Sequence, residues 1–351
     1  MTDLRAAIVG YGLSGAVFHG PLIEATPGMT VATVVTRDPE RREAAATAHP
    51  GALLADSADE VWQRADEHDL VVVATPNSAH VGLASAAIEA GLAVVVDKPL
   101  APTAAEARAI VESAERGGVP LTVFHNRRWD SEHLTLKRLR AEGVLGDAWR
   151  YESRFERWRP KPNPERPWRE TASPEQGGGV LLDLGSHLVD QALDLFGPPA
   201  EVYGEVASRR GGADDDAFVA LRHRDGTISH LWASSVAASR GPRLRVLGSK
   251  AAYVNEHLDG QEDALRAGRR PGDDGSWGVE PESRWGRLVE GDSAESVPSE
   301  PGAWPEFYLR LAHALREGGP PPVDPGQAVA VLDVLESARA SAAAGEPAIL
   351  R

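Results

Sequence analysis

Through the first half of the chain, short runs of uninterrupted apolar residues alternate with alanine-rich amphipathic stretches. Residues 6–9, 30–35, 70–74, 93–96 and 120–124 read as strands. Their hydrophobicity is continuous rather than alternating, as expected of strands covered on both faces of a parallel sheet. With helical stretches between most of them, this predicts a doubly wound α/β unit of the Rossmann type ending near Phe124. Beyond about residue 131 the pattern changes to a charged helix reaching Glu142, a Trp- and Arg-rich stretch through Trp168, three glycines, and a helix from about Val180 to Phe196. Residues 217–222, 227–234 and 243–247 then alternate, or are separated by turn signals such as Asp225-Gly226, as antiparallel strands do. The second unit is therefore expected to be α+β with a large, open, mostly antiparallel sheet. Residues 259–300, rich in Gly, Asp, Glu, Pro and Arg, read as a long surface loop, either a lid or an insertion without a role. Two helices follow, 304–316 and 325–344, the second capped by Asp324 with Pro325 at its first position. The expected domains are 1–124 and 125–351, with helix 325–344 packing back on the first.

Composition narrows the function more than the fold. With 351 residues, 42% hydrophobic and 25% charged, the chain can build two cores. A net charge of −15 disfavours nucleic acid and anionic membrane as general partners, so any anion must be captured locally. No stretch approaches the roughly 20 apolar residues of a membrane helix, and the first apolar run leaves no room for a signal peptide, so a cytoplasmic protein is expected. Zero cysteines exclude disulfides, thiolate metal sites and thiol catalysis.

Against that background three constellations carry chemistry. Gly10, Gly12 and Gly15 form G-x-G-x-x-G between the first strand and a helix, with Leu13 and Ser14 inside the loop, which is the context of a dinucleotide phosphate site. Where an NAD site places an acid at the end of the second strand, this chain has Thr36, then Arg37, with Arg41 and Arg42 a turn further on. Those groups suit a 2′-phosphate, so NADP is expected, with NAD as the alternative should Asp38 reach the ribose. Thr75, Pro76, Asn77 and His80, at the carboxyl end of the fourth strand, are expected to line the cofactor crevice.

Lys98 is one of four lysines set against 33 arginines, and it stands at the end of a buried strand in D-K-P. An ammonium can polarise or protonate an oxygen where a guanidinium does so poorly, although a solvent-facing loop lysine is the plain alternative. In the helix after Gly177-Gly178-Gly179, a turn of about 100° per residue puts Asp183, His187, Asp190 and Asp194 on one stripe. Carboxylates at i−4 and i+3 can fix the tautomer of His187 and raise its basicity. A metal chelated by Asp183 and His187 competes, but no further ligands can be placed, so none is expected. Asp190 and Asp194 are expected in surface or inter-domain salt bridges. Asn126, Arg127 and Trp129 lie where the two units meet, and Trp158, Arg159 and Trp168 come from the Trp- and Arg-rich stretch, so these are the substrate-binding candidates.

With the glycine loop, Asp97-Lys98-Pro99 and D-x-G-x-H in this order, the chain resembles the Gfo/Idh/MocA oxidoreductases over essentially its full length. The family's usual E-K-P is shortened here to D-K-P. Similarity in G-Y-G-L-S-G-A-V-F-H-G-P-L-I and in residues 124–130 points to the subgroup containing NADP-dependent scyllo-inositol dehydrogenases. The resemblance implies that Lys98, Asp183 and His187 are catalytic, that the second domain's open sheet forms a homodimer or homotetramer, and that hydride passes between nicotinamide and a secondary alcohol of a cyclic polyol or sugar. A non-catalytic dinucleotide and sugar sensor, and a reductase of another carbonyl or an imine, are the rival readings.

Overall fold

The computed structural model describes residues 3–161, 171–273 and 275–350. Its first sheet has six parallel strands, β1 (Leu4–Val9), β2 (Met29–Val35), β3 (Leu53–Ala55), β4 (Leu70–Val73), β5 (Ala93–Asp97) and β6 (Leu121–Phe124), in the order β3-β2-β1-β4-β5-β6. The reversal of direction beside β1 is the switch point at which such sheets hold ligands. Helices α1 (Gly20–Glu24), α2 (Pro39–Ala48), α3 (Asp59–Trp62), α4 (His80–Glu89) and α5 (Ala104–Gly117) connect the strands. The three-residue β3 was not expected from the sequence, being too short and too exposed at Leu53 to register as an apolar run.

Both faces of this sheet are buried, which is why its strands read as unbroken hydrophobic runs. Ala6 and Ile8 enter one apolar core, whereas Ala7 and Val9 enter another. The first of these cores is completed from the far end of the chain. Trp304, Phe307, Tyr308 and Leu311 on and beside α9 (Pro305–Glu317) pack with Ile8, Ile23 and Val34. Helix α10 (Pro325–Ala344) also returns, lying against α5 and against the second sheet. The expected return of the last helix is thus accompanied by a second returning helix, α9, which a boundary at residue 124 does not foresee.

The second sheet has nine strands. They are β7 (Ala148–Glu156), β8 (Pro199–Ala207), β9 (Asp216–His223), β10 (Ile228–Ser234), β11 (Leu244–Gly248), β12 (Ala252–Asn255), β13 (Gly286–Glu290), β14 (Ser293–Val297) and β15 (Ala348–Ile349), in the order β14-β13-β12-β11-β7-β10-β9-β8-β15. All its neighbours pair antiparallel except β7 with β10, so the sheet is open and mostly antiparallel. Helices α6 (Ser131–Ala141) and α7 (Ser186–Phe196) cover its inner face.

The reading of 259–300 as a long loop is corrected. It contains helix α8 (Gln261–Arg266) and the β13–β14 hairpin that extends the sheet. Asp259 anchors its start, with carboxylate oxygens accepting from Ser131 N at 2.8 Å and Gln261 N at 2.7 Å. Edge strand β14 is polar and mostly exposed, so no apolar period marks it in the sequence.

Candidate active site

The glycine loop has the geometry its chemistry requires. Gly10 has φ +97°, and a Cβ there would stand 2.6 Å from the Ala74 carbonyl oxygen. At Gly15 a Cβ would meet the Gly10 carbonyl oxygen at 2.2 Å, so this glycine permits the close packing of the loop on its helix. Gly12 is open: its nearest neighbour is the Arg41 guanidinium, 3.9 Å from the Cβ position, leaving room for a ligand's phosphates against bare backbone. Leu13 and Ser14 line the adjoining cleft, and the buried Ser14 Oγ has no hydrogen-bond partner among the described residues. These features fit a bound dinucleotide.

At the end of β2, Thr36 is buried and Arg37 exposed. Arg42 is committed elsewhere, to Asp56 at 2.6 Å and the Thr36 carbonyl at 3.0 Å. Asp38 caps α2 through the Arg41 amide at 3.1 Å, and its other oxygen is 3.8 Å from Arg41 Nε. Thr75 keeps a buried Oγ1 without a hydrogen-bond partner among the described residues. Pro76 is exposed beside it, and Asn77 donates Nδ2 to the Gly177 carbonyl at 2.8 Å, clasping the two sheets' units together. His80 does not face the crevice. It is fully buried, with Nδ1 2.8 Å from the Pro99 carbonyl and Nε2 3.0 Å from that of Thr75, so it braces the turns that carry Thr75 and Lys98.

Strand β5 delivers Lys98 to the same crevice. Its ammonium donates to Asp183 Oδ1 at 2.8 Å and to the Asp183 carbonyl at 2.6 Å. Asp183 lies in a loosely wound π-type turn, Leu181–Gly185, that runs directly into α7. His187 follows in the first turn of that helix, with Nδ1 buried and unpartnered among the described residues and the ring 5.9 Å from that of Phe155. Burial holds the His187 pKa well below the ordinary histidine range, and the charges of Lys98 and Arg127 push it the same way. Lys98, Asp183, His187, Leu13 and Ser14 line one cleft of about 840 Å³ between the two sheets' units. A neutral imidazole and a hydrogen-bonded ammonium facing one space can exchange a proton with a substrate oxygen and stabilise its negative charge.

The remaining candidates divide. Asn126 and Arg127 line the cleft, and Arg127 is held by Asp130 at 3.1 Å and Glu262 at 2.9 Å. Trp129 does not: it is 5% exposed, edge-on to Phe307 at 5.9 Å, and belongs to the core beneath α9. Trp158 is 58% exposed and lies off the cleft, while Trp168 falls outside the described residues. From the Trp- and Arg-rich stretch it is the arginines Arg154, Arg157 and Arg159, with Phe155, that reach the site. Phe155, Arg157, Arg243 and Glu262 were missed in the sequence. The alternation around Phe155 in β7 was the available signal.

Asp190 is buried and Asp194 half-buried, and both sit in salt bridges. Asp190 meets Arg128 at 2.6 Å, and Asp194 meets His133 and Lys137, each at 2.7 Å. Among the described residues no three His, Asp or Glu side chains are grouped to hold a metal ion.

Comparison with known proteins identifies the family. Residues 4–125 match the model of the oxidoreductase family with NAD-binding Rossmann fold, and residues 133–254 match the GFO/IDH/MocA C-terminal domain. The chain is 36% identical over 343 residues to the NADP(+) scyllo-inositol 2-dehydrogenase of Bacillus subtilis (strain 168), covering 96% of this chain and 93% of that protein. An uncharacterized oxidoreductase of Escherichia coli (strain K12), YdgJ, is 38% identical over 343 residues, covering 95% of each. The solved structure of the oxidoreductase YvaA from Bacillus subtilis superposes with a TM-score of 0.91 at 34% identity, covering 99% of this chain and 100% of that one. The glycine loop, the lysine at the end of β5 and the Asp-His turn thus sit in a chain that belongs to the GFO/IDH/MocA family and is an oxidoreductase with an NAD-binding Rossmann domain.

Proposed function

We propose that the protein is a cytoplasmic, NADP-preferring dehydrogenase that interconverts a secondary alcohol and its ketone on a cyclic polyol or sugar. The observation that carries the reading is the Lys98–Asp183 contact of 2.8 Å, with His187 four residues on, in the cleft that the glycine loop borders. A bound nicotinamide dinucleotide supplies the hydride acceptor in oxidation and the hydride donor in reduction. The chain's own residues then handle one proton and one developing charge. His187, neutral through burial, takes the hydroxyl proton in oxidation and returns it in reduction. Lys98 stabilises the negative oxygen, and Asp183 fixes the ammonium by two hydrogen bonds, leaving the pair aimed into the cleft. The preference for NADP is supported by Arg41 beside Gly12, by the exposed Arg37 at the end of β2, and by Asp38, whose carboxylate is occupied in capping α2. Self-association through the open sheet is supported by the partly exposed cluster of Phe218, His230 and Trp232 on its outer face, with Arg154 3.9 Å over the Trp232 ring.

The test is a panel of inositols and hexoses with NADP and NAD, read at the nicotinamide absorbance, with both cofactors' dissociation constants measured. Turnover with NADP is expected, and Lys98→Met should lower it by at least about 100-fold while NADP affinity stays within a few-fold. Undiminished turnover in that variant would remove Lys98 from the mechanism, and tighter NAD binding would reverse the cofactor assignment.

A further inference from the structure

Three guanidiniums surround the ring of Phe155: those of Arg127 and Arg243, each 4.7 Å from its centre, and that of Arg157 at 5.9 Å. Two of them are neutralised within the protein. Arg127 pairs with Asp130 and Glu262, and Arg243 pairs with buried Glu132 at 3.2 Å while donating to Ser153 Oγ and Gln191 Oε1. Arg157 differs, since its guanidinium makes no ion pair or hydrogen bond with any described residue. Its backbone is nevertheless fixed, the amide donating to Ser234 O at 2.8 Å and the carbonyl accepting from Ala237 N at 3.1 Å. The residue is therefore set in the cleft wall at the strand end, half-buried, with no directly paired carboxylate among the described residues.

Burial lowers the Arg157 pKa, and the Asp183 carboxylate is the main charge acting against that shift. A desolvated cation with no hydrogen-bonded counter-ion is unfavourable, and a bound anion recovers that free energy with charge-assisted, bidentate hydrogen bonds. Arg159 and Arg240, both exposed, line the same cleft and likewise have no carboxylate partner among the described residues. The nearby Glu156 carboxylate is turned to the Gly241 amide at 2.8 Å. His187 and Arg157 each lie 5.9 Å from the Phe155 ring centre, so their separation is at most twice that distance. One six-membered ring bearing a charged substituent bridges such a gap when each end adds a hydrogen bond of about 3 Å.

We infer that the substrate is an anionic polyol, carrying a carboxylate or phosphate that Arg157 grips while its carbinol meets His187 and Lys98. Arg159 and Arg240 draw that anion toward a cleft that the net negative chain would otherwise repel. The inference rests on the dehydrogenase reading for the position of the carbinol, and on Arg157 alone for the anion.

The probes are D-glucuronate and D-glucose 6-phosphate against D-glucose, three versions of one ring. Their binding to the enzyme–NADPH complex is read by nicotinamide fluorescence, and their turnover with NADP by absorbance. At least one anionic probe is expected to bind about tenfold tighter than glucose or more, and which one does so separates carboxylate from phosphate. Arg157→Met should bring that ratio to about one and Arg157→Lys should leave it intermediate, since the ammonium lacks the guanidinium's fork. Because Arg157 has no ion-pair or hydrogen-bond partner to strand among the described residues, both variants should keep the parent's melting temperature and NADP affinity. Equal binding of charged and neutral probes, including no binding of either, overturns the inference. So does a preference that survives Arg157→Met, or a loss of NADP affinity in that variant, which would hand the residue to the cofactor. Anion-selective binding lost in Arg157→Met, without NADP reduction by any polyol, supports the anion site and faults the hydride chemistry alone.

Discussion

His187 is kept unprotonated by its surroundings, and that sets how the site responds to pH. Burial lowers its pKa, with Lys98 and Arg127 adding to the effect, so the base form persists to pH values well under the usual 6.5. The acid limb of kcat/KM for alcohol oxidation is therefore expected below that value, because this parameter reports the free enzyme's groups. His187→Asn should cost about 100-fold or more in kcat and remove that limb; a profile identical to the parent's would assign the proton to another residue. Lys98 and His187 are legible in the sequence because each is chemically out of place, a rare lysine ending a buried strand and an imidazole between carboxylates on a helix. Trp129 misleads for the opposite reason. Beside Asn126 and Arg127 it looks like a sugar platform, yet the apolar face of α9 offers its indole a larger gain by burial. Arg157 is invisible in a stretch crowded with arginines, since only the fold reveals which of them enters the cleft with no ion-pair partner among the described residues.

Uniform winding at 100° per residue would place Asp183, His187, Asp190 and Asp194 on a single stripe. The π-type turn over Leu181–Gly185 breaks that uniformity just before α7, and the four residues serve separate partners. Asp183 reaches Lys98, His187 faces the cleft, Asp190 holds Arg128, and Asp194 holds His133 and Lys137. Periodicity finds the stripe but cannot say which polar groups meet water, because the partners come from a 3-10 turn and α6, some 60 residues earlier in the chain. The Arg128–Asp190 pair ties α7 to the turn after β6, and both side chains are almost entirely enclosed. Arg128→Met should cost about 3–5 kcal/mol, because it strands a buried carboxylate. The double variant Arg128→Met with Asp190→Leu should recover much of that loss in chemical denaturation. Equal stability of the single variant and the parent would show the pair to be inert.

Acid should unfold this molecule early. Eight of its 11 histidines have pKa values lowered by burial, and those of His19 and His125 are pushed down to about 4. The unfolded chain binds more protons than the folded one between those values and the ordinary 6.5, so stability falls as pH drops through that window. His19 and His125 alone account for about 3 kcal/mol each by pH 4. Glu132, raised to about 7 by burial and Asp130, opposes this in sign, since its contribution is present at low pH and lost as pH rises through 7. Asp259 and Asp333, also raised by burial, act in the same sense as Glu132, but the eight histidines outnumber the three, so melting temperatures should decline from pH 6.5 toward 4; a flat profile would contradict the burial of these rings. The alternation of strands and helices makes the parallel sheet legible, whereas β14 and the return of α9 are not, the one being too polar to show a period and the other a contact across the whole chain.

That return has a consequence for anyone who would rebuild the protein. The indole of Trp304 and the rings of Phe307 and Tyr308 fill the first sheet's own core, and α10 leans on α5. The nucleotide-binding half is therefore no cassette: grafted onto a foreign tail it would expose an oily trough where those rings belong, and a working chimera must inherit both its beginning and its last helices from one parent.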